Sequence, residues 1–161
     1  MEKKDSSVTR TANGKLVDKD SNIAWYVGTL DEANAFIGLA KVFARDEDVK
    51  RTLGEVQRKI FVLGVEYARK SLTENDYEWL MSKVREFERA VTKPNSFVIL
   101  EKDGPTAFLS VARAVVRRAE RIAVRLYREG LVGMNAVEWL NKLNYLLYLM
   151  ILKEGGDFEK V

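Results

Sequence analysis

Apolar residues recur along this chain at intervals of three and four, the spacing that lines one face of an α-helix. Residues 23–44 put Ala24, Val27, Leu30, Ala33, Ile37 and Ala40 on one stripe, and residues 46–70 repeat the pattern through Val49, Leu53, Val56, Ile60, Leu63 and Tyr67. Residues 74–91 follow, with Tyr77, Leu80, Val84, Phe87 and Val91 facing inward. A fourth helix opens near Pro105, a residue suited to a first helical turn, and stops at Gly130. The fifth, residues 135–153, carries Leu140, Leu143, Leu147, Met150 and Ile151 before Gly155 and Gly156 end it. Residues 29–32 (TLDE) have the capping-box pattern, so the first helix has a second candidate start inside it. Residues 93–100 hold Pro94 and the apolar run Phe97, Val98, Ile99, Leu100, whose length fits either a strand or an extended connector. Residues 1–22 are polar and aperiodic, with Asn13 and Gly14 as a turn, and read as a flexible N-terminal arm. The expectation is one all-α domain over residues 1–161, a five-helix antiparallel up-and-down bundle with almost no strand.

The fourth helix puts charge where a helix usually puts core. At about 100° per residue, Arg113, Arg117, Glu120 and Arg121 share one stripe, while Val111, Val115, Ala119, Ile122 and Leu126 supply the apolar face. Planar guanidinium forks match phosphate oxygens two at a time, so such a stripe suits a polyanion. The alternative is a solvated face whose arginines pair with glutamates.

Composition narrows the chemistry. Apolar residues make up 47% of the 161, enough for one hydrophobic core. No apolar run approaches the ~18 residues of a membrane span and no secretory signal opens the chain, so the expectation is a soluble, cytoplasmic protein. Lys and Arg exceed Asp and Glu by only 27 to 24, which argues against a phosphate-tracking nucleic-acid surface. There is no Cys and no His. Ser-His and Cys-His mechanisms, thiolate metal sites, a haem-ligating His and the Glu-x-x-His di-iron motif of helical bundles are therefore excluded. Any catalysis rests on carboxylates, Lys, Arg, Tyr and backbone amides, or on a bound reagent that brings its own reactivity.

Four ordered segments carry a family resemblance: residues 28–32 (GTLDE), 56–68 (VQRKIFVLGVEYA), 113–121 (RAVVRRAER) and 140–143 (LNKL). Together they resemble the PduO-type ATP:cob(I)alamin (corrinoid) adenosyltransferases, with ungapped matches over residues 5–34 and 97–143. The resemblance implies a homotrimer with active sites between subunits. It also implies transfer of the 5′-deoxyadenosyl group of ATP to the Co(I) of a reduced corrinoid, with Mg²⁺ accompanying the nucleotide and triphosphate as the leaving group. A corrinoid reductase and a B12-dependent mutase are the implied partner enzymes. Carried over residue by residue, Arg117, Arg121 and Glu120 would form the catalytic group, and Arg118 and Asn141 would join them in binding ATP. Asp5, Ser7, Thr9 and Lys19 of the arm would meet the phosphates. Phe97 would sit beneath the corrin ring, and Asp31 and Arg113 would pair across the subunit boundary. No residue is assigned as a metal ligand.

The departures are specific. The family's arm has glycines where this chain has Lys4 and Ser7; if those positions need positive φ, each replacement strains the arm by about 1 kcal/mol or more. After Leu143, Tyr145 stands where the family has Asp, and residues 101–104 (EKDG) replace a Pro-Gly-Gly turn. A catalytically impaired corrinoid or nucleotide binder is the alternative these departures raise, with a helical nucleic-acid-binding protein behind it.

Overall fold

The computed structural model describes residues 5–66 and 72–161. Five helices dominate: α1 (Asn22–Phe43), α2 (Glu47–Glu66), α3 (Glu74–Ala90), α4 (Gly104–Arg128) and α5 (Met134–Gly155). Tyr67 and Lys70, the expected end of the second helix, lie outside the described residues.

The starts of α1, α3 and α4 each have a local chemical cause. Ser21 caps α1, its Oγ accepting from the Ala24 N–H at 3.3 Å. Thr29 to Glu32 is therefore not a helix start; Thr29 is buried in mid-helix. Thr73 and Asp76 form a reciprocal capping box on α3, and Asp103 and Thr106 form another on α4, where Pro105 lies in the first turn. Gly130, at φ 71°, supplies the left-handed residue that turns the chain out of α4.

The packing order around the bundle is α2, α1, α4, α5, α3. Arg125 meets Asn22 and Arg45 meets Asp103, so α1 and α4 run antiparallel; Glu120 meets Asn141 and Lys102, just before α4, meets the Gly155 carbonyl at the end of α5, so α4 and α5 do too. Leu30, Ile37, Leu53, Leu63, Leu80, Phe87, Leu109, Leu126, Trp139, Leu140 and Leu143 fill the core. At α4 the buried stripe is Leu109, Ala112, Val115, Val116, Ala119, Ala123 and Leu126. Val111, expected on that stripe, is 41% exposed, and Ile122 is only partly covered. Small residues at 112, 119 and 123 let α4 sit close between its two neighbours, which rotates the helix away from the register a valine-rich reading suggests.

Two small ladders accompany the helices. In the arm, β1 (Val8–Arg10) pairs antiparallel with β2 (Leu16–Asp18), and Gly14 at φ 81° makes the turn. The arm is thus a hairpin where its polar sequence suggested no regular structure. The apolar run at 97–100 resolves as strand: β3 (Val98–Ile99) pairs with β4 (Glu159–Lys160), and the Val161 N–H donates to the Phe97 carbonyl at 3.0 Å. A buried carboxylate locks the α1–α2 corner. Glu154, its side chain 1% exposed, accepts from the backbone N–H groups of Arg45 and Asp46 at 3.0 and 2.9 Å.

Candidate functional site

Packing of α4 between α1 and α5 turns its charged stripe outward. Arg117 and Arg121 are exposed and form no ion pair among the described residues, so the reading in which the stripe is neutralised by glutamates does not hold for these two. Arg118, on the α1 side of the helix, is bound by Glu32. Glu120 is not the within-helix partner that i, i+4 spacing suggests; its Oε1 accepts from Asn141 Nδ2 of α5 at 2.9 Å. That bond ties the carboxylate to α5.

Beside the stripe lies a cleft of about 420 Å³ lined by Asn22, Trp25, Arg118, Arg121, Ile122 and Arg125. Asn22 ties its floor together: Oδ1 accepts from Arg125 at 3.1 Å and Nδ2 donates to Glu129 at 2.6 Å. Three guanidiniums, an indole 60% exposed and an amide can together grip phosphates and a flat heterocycle. Asn22, Trp25 and Arg125 were not singled out from sequence. Arg125 was within reach, since it continues the four-residue spacing of Arg117 and Arg121. The indole and amide give no such signal, because only the antiparallel contact of α1 with α4 brings them there.

The arm residues gather separately. Asp5, Thr9 and Lys19 line a cavity of about 650 Å³ with Ser6, Val8, Arg10 and Leu16. The ladder accounts for it: the Lys19 N–H donates to the Ser7 carbonyl at 2.9 Å, bringing the two ends of the hairpin side by side. Asp5 accepts from the N–H and Oγ of Ser7 at 2.9 and 2.7 Å, and these bonds, with the nearby Lys19, hold its carboxyl below the usual carboxylate range. Among the described residues no non-glycine has positive φ, so Ser7 carries no left-handed strain, and the expected penalty there is corrected. A side-chain-bonded turn takes the place a glycine turn would have. Lys4 lies outside the described residues.

Arg113 is distinctive. It is half-buried, its Nε has no hydrogen-bond partner among the described residues, and its guanidinium lies 5.5 Å over the Tyr148 ring. Desolvation, then the like charge of Arg117, lower its pKa. Asp31 is exposed on α1, and within the chain the two are not paired. Phe97 is 88% exposed, so it is no core residue. No three acidic side chains among the described residues gather to hold a metal ion, and no described helix is long and apolar enough to cross a membrane.

Known proteins resemble this chain in sequence and in fold. A corrinoid adenosyltransferase of Citrobacter freundii is 28% identical over 155 residues, covering 91% of this chain and 88% of that protein. One from Bacillus subtilis is 30% identical over 141 residues, covering 81% and 73%. A variant PduO-type ATP:corrinoid adenosyltransferase from Lactobacillus reuteri, complexed with cobalamin and ATP, superposes with a TM-score of 0.88 over 98% of this chain and 95% of that one. At 21% identity that likeness speaks for the fold alone. The family model for cobalamin adenosyltransferase matches residues 1–154, and the chain belongs to that family.

Proposed function

We propose that this protein transfers the 5′-deoxyadenosyl group of ATP to the Co(I) of a reduced corrinoid, releasing triphosphate. The observation that carries the reading is the outward row of Arg117 and Arg121, two guanidiniums without carboxylate partners among the described residues, beside a cleft that also holds Trp25. Co(I) brings the nucleophile: its electron pair forms the bond to the 5′-carbon as the carbon–oxygen bond breaks, and the carbon–oxygen bonding pair leaves on triphosphate. The protein supplies orientation and charge. Arg117 and Arg121 stabilise the leaving oxygens, where negative charge is more localised in the transition state than in bound ATP. Glu120, held by Asn141, orients the nucleoside end. The arm, with Asp5, Ser7, Thr9 and Lys19, closes on the phosphates. Mg²⁺ would accompany the nucleotide, held chiefly by water and phosphate oxygens.

A chain without His or Cys offers cobalt no imidazole or thiolate as axial ligand. Phe97, exposed and aromatic, covers the lower cobalt face and keeps the metal four-coordinate. The protein works as a homotrimer in which Asp31 of one subunit supplies the anion that Arg113 of the next lacks. Among the described residues the Nε of Arg113 has no hydrogen-bond partner and exposed Asp31 has no ion pair, which supports this arrangement. An electron donor that generates Co(I) and an enzyme that accepts adenosylcorrinoid complete the sequence, all in the cytoplasm.

The test is direct. Protein supplied with ATP, Mg²⁺ and chemically reduced cobalamin is expected to form a light-sensitive cobalt–carbon product, followed by absorbance. Arg117→Ala is expected to abolish turnover with unchanged far-ultraviolet circular dichroism. ATP binding without product under any reducing condition would replace the transferase reading with that of a binder.

A further inference from the structure

Phe97 combines a freely exposed side chain with a tethered backbone. On its C-terminal side β3 is paired to β4, and its own carbonyl accepts from Val161. On its N-terminal side α3 ends at Ala90 and the chain passes through Lys93 and Pro94 before reaching Phe97. Lys93 Nζ donates to Glu88 Oε1 at 2.8 Å, across the end of α3. Tyr145 of α5 donates its hydroxyl to that same oxygen at 2.5 Å, and Lys93 lies 5.3 Å over the tyrosine ring. Three residues from two helices and one loop thus meet at a single carboxylate oxygen.

We propose that Tyr145, Glu88 and Lys93 form a clasp that positions Phe97 against the corrinoid, with Tyr145 as the positioning residue that anchors it to the bundle. The inference rests on the reading of Phe97 given above. Two features argue for it over an ordinary surface contact. First, an exposed aromatic side chain on a free loop would be spread over several rotamers and backbone states, and fixing it only on binding costs affinity; holding both flanks removes that cost. Second, the clasp is tied into the arginine helix. Tyr145 stacks on Tyr148 with ring centroids 6.4 Å apart and planes at 25°, and the Arg113 guanidinium covers Tyr148. The charges are engaged: hydrogen bonds from Lys93 and Tyr145 lower the pKa of Glu88, and the bond to Glu88 raises that of Lys93. Tyr145 stands where the resembling family carries Asp. An aspartate here would repel Glu88, whereas the phenol donates to it.

The experiment compares Tyr145→Phe and Lys93→Met with Phe97→Ala, singly and combined. Tyr145→Phe keeps the ring and its stacking, and Lys93 is on the surface, so all the proteins are expected to fold; circular dichroism and Tm verify it. Each clasp variant is expected to raise the corrinoid KM about three- to tenfold, the loss of one charge-assisted hydrogen bond, with the ATP KM changed less than about twofold. The electron paramagnetic resonance spectrum of bound Co(II)alamin is expected to shift from a four-coordinate toward a five-coordinate signature. In the Phe97→Ala background neither clasp substitution should have a further effect. A clasp substitution that keeps its full effect in that background would show a structural role and overturn the proposal. So would silent clasp variants beside an impaired Phe97→Ala. A silent Phe97→Ala would instead remove the reading of Phe97 itself, and the clasp with it.

Discussion

Asp31→Asn is the substitution whose effect is most specific to the proposed trimer. In the single chain Arg113 is half-buried, has a buried Nε without a partner among the described residues, and feels Arg117 one turn away, so it enters the proposed interface short of an anion. A charge-assisted hydrogen bond to such a group contributes about 1.5–3 kcal/mol. A closed three-fold ring repeats it three times, so at the lower figure the trimer gains about 4.5 kcal/mol, roughly three decades in its association constant. The concentration at half-dissociation scales as the inverse square root of that constant, so losing the contribution is expected to raise the midpoint about 30- to 50-fold. Sedimentation equilibrium over a wide dilution series measures it. Glu32→Gln is the control, because Glu32 is already engaged by Arg118 within its own chain. Asp31→Arg combined with Arg113→Glu should recover much of the loss. A midpoint for Asp31→Asn within about threefold of wild type, or equal to that of Glu32→Gln, would refute the reasoning.

Other outcomes follow from the same structure. Asn141→Ala frees the carboxylate of Glu120 and is expected to raise the ATP KM about tenfold while leaving the corrinoid KM nearly unchanged, measured by steady-state kinetics. Leu147→Ala, at a fully buried position of α5, should lower stability by about 3 kcal/mol and Tm by roughly 10 °C in a thermal melt. Asp103 feels desolvation that would raise its pKa, but Thr106 and Arg45 outweigh it and hold the carboxyl at about 2. Its stabilising contribution is therefore complete above its unfolded value near 4 and is lost as pH falls toward 2; Asp103→Ala should flatten that acid limb of the denaturation profile.

Helix periodicity was legible because an apolar stripe is a property of neighbouring turns, and each of the five stretches became a helix. The rotation of α4 was not legible, because Val111 and Ala112 exchange roles only when two partner helices close on the alanines. The hairpin also escaped: its ladder depends on Ser7 and Lys19 meeting across a turn, while its two strands are only three residues each and mix apolar with polar side chains on both faces. Arg117 and Arg121 stood out by residue type and spacing. Trp25 and Asn22 did not, since their place beside Arg125 depends on how α1 lies along α4. The engagement of Glu120 by Asn141 links residues 21 apart, beyond any within-helix rule.

The three tryptophans occupy very different surroundings. Trp139 is fully buried, Trp79 donates to Glu55 at 2.8 Å beneath the Lys59 ammonium, and Trp25 stands open in the arginine-lined cleft. The molecule therefore carries its own fluorophore in the cleft proposed for the nucleotide. Iodide, drawn by the neighbouring guanidiniums, will quench Trp25 before the other two, and nucleotide occupancy can be followed as protection from that quenching, with neither label nor turnover.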